Sequence, residues 1–202
     1  MKYPSAYLVC LVFLTIFSIQ VSGQNWDFVK EKDGIRIYTR NEPNSPFKSF
    51  RGIMDVNTTM DKVSQFIGNP KNMAWWDSDL REIKVLDYEN EKFIRYYLIY
   101  DVIWPFTDRD LCVEARISSE PSSGTRIVFA RPIANVVPEN PDLIRIKNYW
   151  QKWTVQPVGR GVLRFFLEGY VDPGGSVPSW LYNMVITETP IKVMSALRKR
   201  LN

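Results

Sequence analysis

From Ile83 to Val171 the chain reads as strand after strand, with little room between them for anything else. Runs rich in β-branched and aromatic residues fall at 83–88, 92–101, 110–118, 125–131, 143–155 and 162–171. The links at 89–91, 119–124 and 156–161 are short and polar. A short link joins neighbours only antiparallel, because a parallel neighbour needs a crossover of about a dozen residues or more. The middle of the chain is therefore expected to form hairpins in meander order. The longer connection at 132–142 contains three prolines and reads as an ordered loop at the rim.

Two more strands precede this run. Residues 34–40 alternate apolar and polar, as a half-buried strand does, and 47–56 read as a second strand after a turn-rich link with two prolines. Residues 25–30 read as a helical turn or two. Asn57-Thr58-Thr59 supplies cap residues, and Met60, Val63, Phe66 and Ile67 then recur at helical spacing until Gly68-Asn69-Pro70 ends the helix. Asn57-Thr58-Thr59 is also a formal glycosylation sequon, but capping is the preferred reading. A short second helix is expected from Lys71 towards Trp75-Trp76-Asp77.

The C-terminal stretch behaves differently. Asp172-Pro173-Gly174-Gly175-Ser176-Val177-Pro178 reads as a hinge: prolines fix φ, while Gly174 and Gly175 free it. A long amphipathic helix should follow over 179–202, with Ser176 as N-cap and Pro178 in the first turn. Trp180, Met184, Ile191, Met194, Leu197 and Leu201 fall on one broad face, with Thr187 as a polar gap. Arg198, Lys199 and Arg200 suit the negative end of the helix dipole. Pro190 resists a continuous helix, since it would clash with the Ile186 carbonyl at about 3 kcal/mol. Either the helix kinks there, or Thr189 caps a second helix that begins at Pro190.

Two strands, two helices, six strands and one long helix make an α+β order, in which a strongly curved antiparallel sheet can wrap the last helix. A sheet that curls round a helix without closing leaves a cavity between them, suited to a small apolar molecule. Composition agrees: seven Trp and eleven Phe require either a large interior or an apolar ligand. The net charge of +4 is modest and dispersed, which argues against nucleic acid as a partner. With no histidine anywhere, Ser-His-Asp and Cys-His nucleophiles and His-ligated zinc are excluded. No glycine-rich phosphate loop is present.

Residues 1–23 read as a secretory signal peptide: Lys2, a short apolar core, then Val21-Ser22-Gly23 at a cleavage point. Cleavage would leave 25 basic against 22 acidic residues and Cys112 as the lone cysteine, hence no internal disulfide. Residues 24–202 are expected to form a single domain.

Trp104-Pro105-Phe106-Thr107-Asp108-Arg109-Asp110-Leu111 resembles the Trp-Pro…Arg-Asp segment of START domains, the lipid-transfer domains related to steroidogenic acute regulatory protein. Trp26…Gly34-Ile35 with Tyr38, Trp75-Trp76, the stretch from Asp172 to Asn183 and the terminal Leu197-Arg198-Lys199-Arg200-Leu201 match in the same order. The resemblance implies a helix-grip fold with a lipid-sized cavity under the last helix. It implies non-covalent carriage of one sterol, phospholipid or other acyl or isoprenoid lipid, with no cofactor and no catalytic group. An enzyme of the same superfold, cyclase- or hydrolase-like, and an interaction module with a filled core are the alternatives. The leader departs from the many cytosolic relatives and points to a periplasmic or secreted protein.

On this reading Trp180, Met184, Thr187, Ile191 and Met194 face the cavity, and Phe165 and Leu167 of the last strand point inward with Leu163. Glu114 and Arg116 alternate with an apolar set and fall outside; only with the strand's faces reversed would they form the buried charged pair that meets a ligand head in some relatives. Arg109 and Asp110 are expected to fix the loop after Trp104 to the sheet. Lys192, Arg198, Lys199 and Arg200 are candidates for transient contact with a membrane surface. The protein is expected to act as a monomer.

Overall fold

The computed structural model describes residues 25–73, 75 and 80–202. The expected signal peptide and Trp76 lie outside the described residues. Nine strands form a continuous antiparallel sheet: β1 (Asp27–Lys32), β2 (Ile35–Asn41), β3 (Lys48–Asn57), β4 (Leu80–Glu89), β5 (Phe93–Tyr100), β6 (Arg109–Glu120), β7 (Thr125–Pro132), β9 (Tyr149–Gly159) and β10 (Val162–Val171). Their order across the sheet is β1-β2-β3-β10-β9-β7-β6-β5-β4. A two-residue strand, β8 (Ile144–Arg145), runs parallel to the start of β6. The helices are α1 (Met60–Ser64), α2 (Ser179–Val185) and α3 (Glu188–Leu201).

The meander from β4 to β10 is as the short links require, except that the single strand expected at 143–155 is interrupted between β8 and β9. The N-terminal segment is a strand, not a helical turn. Asp33 and Gly34 both adopt positive φ, at 52° and 68°. That is the geometry of a two-residue hairpin, and it folds β1 back on β2. Thr59 caps α1, accepting from the Lys62 amide at 3.3 Å. Residues 71 and 72 form a turn and a bend where a second helix was expected.

Every second residue points inward: Ile35 and Ile37 on β2, Met54 and Val56 on β3, Leu111, Val113 and Ala115 on β6, Val155 on β9, Leu163, Phe165 and Leu167 on β10. α3 packs on β3 and β2 and buries Ile191, Val193, Met194, Leu197 and Leu201. Each such side chain contributes about 1.5–3 kcal/mol. The approach is close. A Cβ on Gly52 would stand 2.5 Å from the Met194 sulfur and 3.1 Å from Pro190 Cβ. Glycine at 52 lets the helix settle on the sheet.

The C-terminal helix is interrupted, two residues earlier than Thr189. α2 ends at Val185, Ile186 is its C-cap, and α3 begins at Glu188 with Thr187 as its N-cap. Pro190 then occupies the third position of α3, where no intrahelical N–H is needed. The break falls at the residue whose carbonyl an unbroken helix would have pressed against the proline ring. Pro178, not Ser176, is the N-cap of α2, and it makes no side-chain cap bond.

Candidate ligand-binding cavity

A cavity of about 380 Å³ lies between the inner face of the sheet and α2. Tyr149, Gln151, Gly169 and Val171 form its floor. Leu181, Tyr182, Val185 and Ile186 form its roof. Val102, Ile103 and Phe106, from the loop between β5 and β6, close one side. A smaller space of about 50 Å³, among Phe66, Trp75, Tyr96 and Trp153, also borders Gln151. Burial pushes the Tyr96 and Tyr149 hydroxyls above their ordinary pKa. They are therefore neutral hydrogen-bonding groups at physiological pH. The Tyr182 hydroxyl is buried beside the Val171 backbone.

The loop at the rim is tied down by charge. Asp108 accepts from the Val102 amide at 2.9 Å and from Arg81 at 2.7 Å. Those bonds hold its carboxyl below the ordinary range, the Val102 amide foremost. Arg81 also pairs with Asp101 at 2.9 Å. Above this frame Ile103 and Trp104 are 82% and 88% exposed, and Trp180 and Met184 on α2 are 68% and 62% exposed. The rim is therefore studded with large apolar side chains that cover nothing.

Gly174 and Gly175 both adopt left-handed φ, at 62° and 64°. A Cβ at Gly175 would stand 2.7 Å from Ile144. The turn is clamped from below by Arg109. Its Nε donates to the Pro173 carbonyl at 3.1 Å and a terminal nitrogen to the Gly174 carbonyl at 3.3 Å, while the other terminal nitrogen donates to the Thr107 carbonyl. Arg109 thus joins the rim loop to the hinge, and it lines the cavity as well.

The predicted ligand residues are distributed differently from the expectation. Trp180 and Met184 point away from the cavity. The residues that line it are Leu181 and Val185, one position on, a phase error of about 100°. The apolar stripe of α3 had been extended backwards through a helix that is broken. Thr187, Ile191 and Met194 are buried, but outside the cavity wall, and Met194 packs against Gly52. Phe165 and Leu167 do point inward, into the packed core rather than the cavity.

Glu114 and Arg116 lie on the outer face, opposite Val113 and Ala115. Glu114 is covered by Arg95 at 2.9 Å, Arg116 at 2.8 Å and Arg131 at 3.6 Å. Burial raises its pKa, but the guanidinium bonds outweigh this and the net shift is downward. Asp110, also outward, is held by Arg145 at 2.8 Å and by the Tyr97 hydroxyl at 3.1 Å. Burial, then Asp110, push that tyrosine up to about 12. Asp110 therefore fixes β8 and its loop to the sheet.

Of the four basic residues, Arg198 donates to the Asp33 carbonyl at 2.6 Å, and Lys192, Lys199 and Arg200 are exposed. Arg198 to Arg200 stand some 15–20 Å along α3 from its start, away from the apolar rim. Residues missed by spacing arguments include Leu181, Tyr182, Val185, Tyr149 and Gln151. Arg109 was legible as inward by parity with Leu111 and Val113.

A START domain model matches residues 14–202. An uncharacterised protein of Pseudomonas aeruginosa is 28% identical over 176 residues, covering 87% of this chain and 86% of its own. The phosphatidylcholine transfer protein of Mus musculus is 27% identical, covering 81% of this chain and 77% of its own. Among solved structures, a fragment of a STAR-related lipid transfer protein from Xanthomonas axonopodis superposes with a TM-score of 0.79 at 27% identity, over 87% of this chain and 98% of that one. Human StAR-related lipid transfer protein 5, at 15% identity, shares the fold with a TM-score of 0.76, over 87% and 86% of the two chains. With its curved antiparallel sheet closed by a C-terminal helix, this chain belongs to the START domain family.

Proposed function

We propose that this protein binds one lipid molecule in the cavity beneath α2 and carries it between membranes. The observation that supports this most directly is the cavity itself, an apolar space of about 380 Å³ walled by side chains that only a ligand could cover further. The names of the transfer-protein relatives agree with it. Each buried methylene of a ligand contributes about 0.8 kcal/mol, so a chain of about ten gains roughly 8 kcal/mol before the costs of association. No catalytic step is required.

The moving part is α2, not the whole C-terminal helix. None of its residues is buried, whereas α3 buries six. It is bounded by Gly174 and Gly175 on one side and by the break at Ile186 and Thr187 on the other. It can lift without disturbing the α3 contact with β3. Ile103, Trp104, Trp180 and Met184 are placed to enter a bilayer surface as it does so. Membrane contact by the rim replaces contact by the basic end of α3 in this reading. Export through the leader at residues 1–23 is part of the proposal.

Native mass spectrometry of the protein purified from its own host, followed by organic extraction, tests carriage. The expected result is one co-purifying lipid at one-to-one stoichiometry. Empty protein that takes up nothing from a panel of sterols, phospholipids and acyl lipids would refute it.

A further inference from the structure

Arg109 is 3% exposed and carries a full charge. Among the described residues it has no carboxylate within ion-pairing distance; Arg81 takes both Asp101 and Asp108. Its contacts are three backbone carbonyls, of Thr107, Pro173 and Gly174. A guanidinium has five N–H donors, so one remains on each terminal nitrogen. Asp108 acts on Arg109 only from beyond ion-pairing distance and is itself taken by Arg81. A buried cation whose direct partners are carbonyl dipoles is costly, and an anion is its natural complement. Asp101 is the other charged residue on the described wall, and it is already paired. The Tyr182 hydroxyl, also on this wall, is buried with no side-chain partner among the described residues.

We infer that Arg109 is the head-group site of the cavity, and that the ligand is an anionic amphiphile whose carboxylate or phosphate oxygens pair with its guanidinium while the apolar tail runs over Tyr149 and Gln151. This rests on the carriage reading above. Arginine's planar fork suits both anions, and the bonds it makes are of the strong, charge-assisted kind. The location also couples binding to the hinge. The same guanidinium holds the Pro173 and Gly174 carbonyls, so the head group is recognised by the residue that clamps the hinge of the lid.

Three ligands with one tail separate the possibilities: hexadecanoate, hexadecyl phosphate and hexadecanol, titrated against the full mature chain at a pH where the acid is ionised. An anionic head should bind roughly 10- to 100-fold more tightly than the alcohol. Preference for hexadecyl phosphate alone would assign a phosphate, and for hexadecanoate alone a carboxylate. In R109Q the ratio to hexadecanol should collapse towards one, whatever the absolute affinity; R109K should keep part of it. If R109Q does not fold, the wild-type protein still decides, because its preference for hexadecanoate must vanish as the acid protonates. Equal affinity for all three in the wild type, or a preference that survives R109Q, would overturn the inference and leave carriage standing. Failure of all three to bind would overturn the inference as well, while carriage would still be decided by the wider lipid panel above.

Discussion

If α2 is a lid hinged independently of α3, the bonds that hold it down should control opening without controlling the fold. Asn183 supplies two of them. Its side-chain carbonyl accepts from the Lys48 amide at 2.8 Å, and its amide donates to the Pro46 carbonyl at 2.9 Å. Pro46 sits on the β2–β3 link and Lys48 opens β3, and Phe47 between them meets Tyr182 edge to face at 5.2 Å. N183A removes both bonds. At about 0.5–1.5 kcal/mol net for each, closure weakens by roughly 1–3 kcal/mol, so the open population rises about 5- to 150-fold. Hydrogen exchange resolved to peptides is the assay. Amides at 179–186 should exchange faster by that factor, while those of α3 and the central strands keep their protection, because opening of α2 exposes none of the α3 core. Lipid transfer between vesicles should accelerate until another step limits it. Uniformly faster exchange across α2 and α3, with a matching fall in Tm, would show that the two helices open as one unit and would refute the lid assignment.

G52A places a Cβ 2.5 Å from the Met194 sulfur, so it should destabilise by about 1–3 kcal/mol in denaturant unfolding; M194A, which relieves the clash, should make the double variant less unstable than the two single losses combined. L181W fills the roof of the cavity and should lower lipid uptake in a fluorescence assay while Tm changes little; M194W, in the packed core, should show the opposite pattern. Glu114 has a folded pKa below its unfolded value of about 4.3, so its contribution to stability is present above that pH and disappears as pH falls through the lower folded value. E114Q should therefore be less stable than the wild type at pH 7, and the gap in Tm should close in acid; an offset that is constant with pH would contradict this.

The sheet was readable because each of its determinants is local. Short polar links force antiparallel neighbours, and alternation on β6 and β10 assigns the inner face correctly. Two features escaped for equally local reasons. The Asp33-Gly34 pair is a strong hairpin signal, but the segment before it, Asp27 to Lys32, has no alternating pattern. Most of its side chains are exposed, since it is an edge strand. At 143–155 the strand reading runs straight through 146–148, although Lys147 and Asn148 interrupt the apolar pattern and the backbone leaves the sheet there; Asn148 spends its carbonyl on the Asp172 amide at 2.9 Å.

The cavity was less legible, and the helix shows why. Helical phase is a running sum of about 100° per residue, so it carries information only within an unbroken helix. Counting back from Leu201 places Ile191 and Met194 correctly, on the buried face of α3. Counted through Ile186 and Thr187, the same sum assigns Trp180 and Met184 to the inside, when Leu181 and Val185 hold that position. Pro190 signalled the break, and the cost of about 3 kcal/mol for an interior proline was enough to end the count there. Strand parity has no such weakness on β6, which pairs without interruption from Arg109 to Arg116. It puts Arg109 on the same face as Leu111, Val113 and Ala115, an arginine pointing into an apolar interior. A charge in that position needs either a carboxylate from the protein or an anion from outside it. Among the described residues the structure supplies three carbonyls in direct contact and no paired carboxylate, Asp108 acting only at longer range, which leaves the second requirement to the ligand.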